Sequence, residues 1–587
     1  DKAKQMLTGK LLAIAYDSDN VVLAATYVQT PRVIDDLYTA ANDDADEAVL
    51  GLVYSSSDIT ANLWAPTAQR VNLQVFNAAK ELQSSQAMTF DNDTGVWSFA
   101  VPLSNDRLFY RYELTVYHHV NLSFETIWSS DPYSVSLASN GIYSQFVNLN
   151  DADLKPDGWE DSVAPTITNP EDAVIYEGHV RDFSALDMST SAANRGKYLA
   201  FTEEDTAPVN HLMELVDAGI THFHVLPVND IATIEERPER TVDMFDTVFD
   251  LCLLNRDAAV CDEESPTTVL KDLFESYDPF LQPTKAQELA QMMRDVDDFN
   301  WGYDPKHFNA PEGSYSSDPD GVARILEMRS MVQALHEMGL RVAIDVVYNH
   351  TNASGLNDNS VLDKVVPGYY HRYTVDVGNI TRNTCCDDTE DRNRMMAKLM
   401  EDSLVMWATE YKYDAFRFDL MGHHSKDVVL ALETAVKAVD SDTYFYGEGW
   451  TAPDRGVTQA DQINLAGSQI GTFNDRIREA IRGGAFFNGL GDNDQMYAGD
   501  RIKAGLAGTL NNYILQDSNG VTSTTSSLGG YVVDPAGIIN YVSKHDGETL
   551  WDKFNYELPG DLSLAQRVRA QNIGLGLPLM AQGIPFL

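Results

Sequence analysis

Apolar and polar positions change rhythm twice along this chain. Residues 1–50 hold two short apolar runs, Leu11-Leu-Ala-Ile-Ala15 and Val21-Val-Leu-Ala-Ala25, followed by the acidic stretch Asn42-Asp-Asp-Ala-Asp-Glu47. Across 51–160 the two kinds alternate in short segments such as Ala61-Asn-Leu-Trp64, Val71-Asn-Leu-Gln-Val-Phe76 and Phe109-Tyr-Arg-Tyr-Glu-Leu-Thr-Val-Tyr117. Side chains alternate faces along a strand, so this stretch predicts an antiparallel β-sandwich of about 100 residues. A Pro-containing polar stretch from Pro156 to Pro170 marks a boundary.

From residue 173 onward, short buried runs alternate with helical periodicity. Val174–Asp182, Thr221–Pro227, Arg341–Tyr348, Asp414–Leu420 and Thr443–Glu448 predict strands. Segments 209–219, 322–338, 394–411 and 426–438 predict helices. Repeated βα units build a parallel sheet, and a count of about eight strands to Gly583–Leu587 favours a (β/α)8 barrel over 171–587. No glycine-rich phosphate loop follows any strand, which places nucleotide folds behind. The last strand falls at the chain end, so a closing helix is expected beyond residue 587 and the chain is expected to be a truncated piece. The fold class is therefore multidomain, with β-sandwich modules ahead of a TIM barrel.

Composition narrows the partners. Acidic side chains number 88 against 42 basic ones, a net charge of −46. Such a surface repels phosphates and anionic lipids, so neither nucleic acid nor a membrane surface is expected as partner. It suits a neutral substrate and a saline medium. No run of eighteen apolar residues appears, so no membrane span is predicted. The chain starts at Asp1 with no signal-peptide core, which predicts a processed form. Cys252 and Cys261 lie nine apart in a polar stretch and are expected to close a disulfide in an oxidising compartment. The vicinal pair Cys385-Cys386 is expected to remain as packed thiols. The localisation expected is secreted, cell-surface or periplasmic with the signal sequence removed.

Candidate chemistry gathers at strand ends. In Asp414-Ala-Phe-Arg-Phe-Asp-Leu420, Arg417 and Asp419 share one strand face, where the guanidinium would keep the carboxylate ionised for attack. A structural ion pair is the bland alternative. Asp345, Asn349 and His350 end one strand, Glu448 another, and His545-Asp546 a later one. Two carboxylates, one attacking and one protonating, are what glycoside hydrolysis needs. Glu448 lies between Gly447 and Gly449, which would admit substrate, and beside Trp450, which offers a stacking face. The acid is expected to hold its proton. The pair His423-His424 diverges in direction and is expected at the cleft or the surface, not as a metal site.

Asp345-Val-Val-Tyr-Asn-His350, Phe416-Arg-Phe-Asp-Leu420, Gly447-Glu-Gly449 and Val542-Ser-Lys-His-Asp546 resemble, in order, the four signature regions of the α-amylase superfamily of glycoside hydrolases. Phe299-Asn-Trp-Gly-Tyr-Asp-Pro305 and Pro311-Glu-Gly-Ser-Tyr315 resemble segments of type I pullulanases and limit dextrinases. The resemblance implies Asp419 as nucleophile, Glu448 as general acid/base and Asp546 as transition-state stabiliser. It implies His350, His545 and Arg417 around the reacting sugar, with Tyr315 stacking on it and Trp301 and Tyr303 at the cleft. The sandwich resembles a starch-binding-type module. Gly547 departs from the usual Asn at that position.

The implied activity is retaining endo-hydrolysis of α-1,6 links in pullulan, amylopectin and limit dextrins by a monomer. No cofactor is needed for that chemistry, and the resemblance allows a structural calcium with ligands unknown. Alternatives are an isoamylase-like, branching or α-1,4-cleaving relative, or a catalytically silent glucan-binding protein. Retention would set the two carboxyls ~5–5.5 Å apart.

Overall fold

The computed structural model describes residues 2–374, 378–485 and 492–587. At the N-terminus, strands Leu12–Tyr16 and Val22–Tyr27 form a hairpin, and helix Pro31–Tyr38 buries Ile34 and Tyr38. Two antiparallel sheets follow. One pairs Gly51–Tyr54, Asp58–Trp64, Val96–Pro102 and Thr89–Phe90; the other pairs Ser123–Ser129, Phe109–His118, Arg70–Phe76 and Leu82–Ala87. In Phe109–His118 every second residue is buried beyond Phe109, the signature of a strand with one face on a core. The sandwich docks on the barrel through its apolar face: Trp64 meets Tyr369 edge-on at 4.8 Å between ring centroids.

The barrel strands are β1 (Ile175–Gly178), β2 (His222–Val225), β3 (Arg341–Val346), β4 (Ala415–Phe418), β5 (Tyr444–Gly447), β6 (Gly471–Phe473), β7 (Ile538–Asn540) and β8 (Ile584–Pro585). All neighbours are parallel in that order. The ring closes where Leu587 N donates to Ile175 O and Glu177 N donates to Leu587 O, both at 2.9 Å. Tyr446, Phe473, Ile539 and Phe586 fill the interior, so the barrel is a packed core. Outside it, helix Ala323–Met338 ends at Gly339, whose φ of +98° turns the chain into β3 as only glycine does without strain.

One strand expectation changes, and two further features carry no signal in the sequence pattern. The first strand stops at Gly178, because His179 caps a helix over Val180–Ser184, its Nδ1 accepting from Asp182 N at 3.3 Å. The strands β6 and β7 are three residues each, too short for a periodicity signal. Between β2 and β3 lies an excursion with short helices around Val242, Leu251, Leu270 and Leu289. Cys252 and Cys261 are bonded there, between helices Val248–Leu254 and Val260–Glu263.

Candidate active site

Sheet register decides which side chains meet. Asp345 on β3 lies opposite Arg417 on β4, and Phe418 lies opposite Gly447 on β5. Asp419 and Glu448 are one step further along their strands, so adjacent strands deliver two carboxylates to the C-terminal mouth of the barrel. Beyond Asp419 the chain turns at Leu420, whose φ of +42° is unusual for a side chain branched at γ. That turn aims Leu420 N at Glu448 Oε2, 3.2 Å away.

Arg417, 1% exposed, is the hub of the site. Its Nη1 donates to both oxygens of Asp345 at 2.9 Å and to Asp419 Oδ1 at 3.1 Å. Its Nη2 lies 2.9 Å from Glu448 Oε1. Asp345 also accepts from the Tyr303 hydroxyl at 2.6 Å, and His224 Nε2 lies 3.5 Å from it. Burial alone would raise Asp345, but Arg417 and these partners hold it down to about 2. Asn349 Nδ2 donates to the Asp419 backbone and side chain, both at 2.9 Å.

In the free protein the shifts of the two carboxyls run in directions opposite to those the sequence expectation needs. Burial raises Asp419, and the nearby charge of Glu448 raises it further, against the pull of Arg417. Burial also acts to raise Glu448, yet Arg417 and Lys544 together hold it down to about 2. Lys544 Nζ sits 2.7 Å from Glu448 Oε1. Arg417 divides its charge among three carboxylates, so it does not favour Asp419 alone.

The remaining expected residues divide. His350 Nε2 lies 2.9 Å from Tyr303 O, with Nδ1 held 2.5 Å from Asn349 Oδ1. His545 is fixed from β1: both its backbone N–H and its Nδ1 lie 2.8 Å from Glu177 carboxylate oxygens. Tyr303 stacks on His545 at 5.0 Å and Trp301, 41% exposed, meets it edge-on at 5.5 Å. Trp450 is half-buried beside Arg478 at the rim. Asp546 stands apart: its side chain is 70% exposed, and Lys544 Nζ is 3.6 Å from its carboxylate.

Several expectations are corrected. Tyr315 is 1% exposed, with its hydroxyl 2.9 Å from His179 Nε2 and its ring against Tyr198, so its face is not open to a sugar. Tyr303 presents the aromatic ring at the mouth instead. Gly447 and Gly449 are packing requirements and not openings, since a Cβ would lie 2.6 Å from Phe418 O or 2.9 Å from Gln462 N. Cys385 and Cys386 are paired with each other and are not free thiols, and Cys385 Sγ lies 3.4 Å from His350 Nε2. His423 and His424 are both buried, and burial lowers both to about 4.

Among the described residues, two places that could offer calcium oxygen ligands are already engaged. Asn349 has its amide committed to Asp419 and His350. The buried trio Asp230, Glu236 and Glu312 already surrounds Arg324, with His307 Nδ1 2.7 Å from Asp230.

Lys544, Glu177 and His224 were missed as site residues. Glu177 and His224 were discoverable as charged or polar positions inside apolar strands, while Lys544 lay within a quoted motif with no role attached.

Residues 49–134 match carbohydrate-binding module 48 (isoamylase N-terminal domain), and residues 1–36 match the pullulanase N2 domain. The chain is 40% identical to a pullulanase of Klebsiella pneumoniae, across 99% of this chain and 57% of that protein. It is 35% identical to the chloroplastic pullulanase 1 of Arabidopsis thaliana, across 99% and 62% respectively. The maltotriose complex of PulA from Klebsiella pneumoniae superposes with a TM-score of 0.96 at 39% identity, covering 100% of this chain and 67% of that one. A mutant pullulanase of Paenibacillus barengoltzii complexed with maltotriose gives 0.73 at 30% identity, covering 94% and 75%. The chain thus spans 57–62% of the length of these two curated relatives.

Proposed function

The chain belongs to the pullulanase family of the α-amylase superfamily, and from that premise we propose that the whole protein cleaves α-1,6-glucosidic links in pullulan and branched starch fragments, with retention. The observation that carries this is the placing of Asp419 and Glu448 on adjacent strand ends around one guanidinium. Asp419 attacks the anomeric carbon. Glu448 protonates the departing oxygen, and a covalent glucosyl-enzyme forms. Glu448 then takes a proton from water, which attacks the same carbon and releases Asp419. To protonate the departing oxygen the desolvated Glu448 must gain a proton, which requires Lys544, 2.7 Å from it and 3.6 Å from the exposed Asp546, to release its carboxylate.

The solved relatives that carry maltotriose support an α-glucan as substrate. The presence of both carboxylates, with Arg417 between them, disfavours a silent binding protein. The Cys252–Cys261 bond supports a secreted or periplasmic protein, since such bonds persist in oxidising compartments. No helix among the described residues is long and apolar enough to cross a membrane. Incubation with pullulan tests the reading: maltotriose of α configuration at its new reducing end is expected. Trisaccharides that retain an α-1,6 bond would overturn the linkage, and β products would overturn retention.

A further inference from the structure

A second hydrogen-bonded relay spans the seam between sandwich and barrel and shares no residue with the catalytic mouth. Ser130 follows strand Ser123–Ser129 of the sandwich, Asp230 follows β2, and His307 sits in the excursion before β3. Ser130 Oγ lies 2.6 Å from His307 Nε2, and His307 Nδ1 lies 2.7 Å from Asp230 Oδ2. A carboxylate only accepts, so the ring proton sits on Nδ1 and Nε2 is left to accept from the serine hydroxyl. Burial lowers His307 despite that partner, which keeps the imidazole neutral. Burial would raise Asp230, but His307, Lys306 and Arg324 hold it down. Hydroxyl, neutral base and carboxylate thus stand in the order that activates a serine for attack.

The hydroxyl of this relay borders open space. Ser130 lines a cleft of about 530 Å³, within the ~300–1,000 Å³ of small-molecule sites. Trp128, 48% exposed, and Ile142, 52% exposed, give the cleft apolar walls. Lys306 and Lys364 line it from the barrel side. Lys306 Nζ donates to Asn140 O at 2.9 Å and to Asn359 Oδ1 at 3.3 Å, and Lys364 Nζ donates to Asp358 O at 3.3 Å. Among the described residues neither lysine forms an ion pair, although acidic side chains outnumber basic ones 88 to 42. Ser360 Oγ, in a residue 2% exposed, also belongs to this wall and has no hydrogen-bond partner. A relay that only docked the sandwich would be complete without the cleft and without these uncommitted donors.

We infer that Ser130, His307 and Asp230 form a second catalytic site, an esterase for small carboxylic esters that carry an apolar group. The apolar group packs on Trp128 and Ile142. Ser130 Oγ bonds to the ester carbonyl carbon as its proton passes to His307 Nε2. The carbonyl oxygen becomes an oxyanion, and the ammonium groups of Lys306 and Lys364 supply the opposing charge. The ester C–O bond then breaks, His307 returns the proton to the departing alcohol oxygen, and an acyl-serine remains. Water adds to the acyl carbon and gives a proton to His307. The bond to Ser130 Oγ breaks, a carboxylic acid leaves, and the serine recovers its proton. No glucan enters this chemistry, so the inference is independent of the activity proposed above.

A fluorophosphonate, which reacts with activated serines and not with ordinary hydroxyls, tests it on the intact wild-type chain. Mass-spectrometric peptide mapping should place the label on Ser130 in the native protein and find none there after unfolding in urea. The native protein should also turn over p-nitrophenyl acetate well beyond the number of its lysines. Ser130→Ala and, separately, His307→Gln should each lower kcat/KM on that ester by about a thousandfold. Either substitution also removes a tie across the seam, so the label on the wild type carries the test by itself. Native protein left unlabelled at Ser130 would overturn the inference, and so would ester turnover that Ser130→Ala retains in full.

Discussion

Lys544 Nζ lies 2.7 Å from Glu448 Oε1, so the residue assigned as general acid is ion-paired in the free protein. Both partners are almost wholly buried, at 3% and 5% side-chain exposure, where the attraction is poorly screened. Lys544→Met should therefore lift the Glu448 carboxyl from about 2 toward its ordinary value, Arg417 still restraining it. The acidic limb of the kcat/KM profile, set by the lower of the two carboxyl values, should move up by about one pH unit. A limb that stays in place would exclude Lys544 as the group restraining the acid.

Asp419→Asn should lower turnover on pullulan by at least about a thousandfold, because the amide cannot form the covalent intermediate. The melting temperature should hardly fall, since Asp419 is raised by burial and by the charge of Glu448 and removal of its charge relieves that cluster. Wild-type turnover by this variant would exclude the nucleophile role.

Asp345 gives an acid-stability prediction. Its folded-state carboxyl is depressed to about 2, so it stabilises the fold above the unfolded value near 4, and that contribution is lost as pH falls through 2. Complete burial permits a conversion to roughly 2 kcal/mol. Denaturant titrations of Asp345→Asn at pH 7 and pH 2.5 should differ less than those of the wild type by about that amount. An identical pH dependence would mean that the fold does not hold the Asp345 carboxyl below its unfolded value.

The parts of this site legible in the sequence were those fixed by neighbours on one strand. Arg417 and Asp419 share a face by alternation, and the strands β2 to β5 announced themselves as apolar runs followed by helical periodicity. What crosses strands was not legible. That Arg417 also serves Asp345 and Glu448 follows from the parallel register, and Lys544 reaches Glu448 across 96 positions. Tyr315 resembles a cleft residue by motif, yet its ring is enclosed by Tyr198 and His179, a matter of packing that no local pattern carries. Burial of His424 beside Asp391 escaped for the same reason.

The Cys252–Cys261 bond closes a nine-residue separation in the excursion between β2 and β3, away from the catalytic carboxylates. The double substitution to serine should cost about 2–3 kcal/mol of stability in that segment by releasing the loop in the unfolded chain. Pullulan hydrolysis below the melting range should be unaffected. A large loss of kcat at unchanged stability would instead tie the excursion to the cleft.

Tyr303 offers the sharpest separation of ring from hydroxyl. Its ring stacks on His545 at 5.0 Å, while its hydroxyl donates to Asp345 at 2.6 Å and its carbonyl lies 2.9 Å from His350 Nε2. Tyr303→Phe keeps the ring and the backbone contact but leaves Asp345 short of one donor. Asp345 then draws more of the shared guanidinium, and less of that charge is available to Asp419 as it becomes the attacking group. The expected result is a fall of about tenfold in kcat with little change in KM, since the missing bond acts on the charged nucleophile and not on the bound sugar. Tyr303→Ala also removes the face against which His545 is held, and if that ring meets the sugar, KM should rise as well. Equal effects of the two substitutions would mean that the hydroxyl alone matters and that the ring is not a sugar-facing surface.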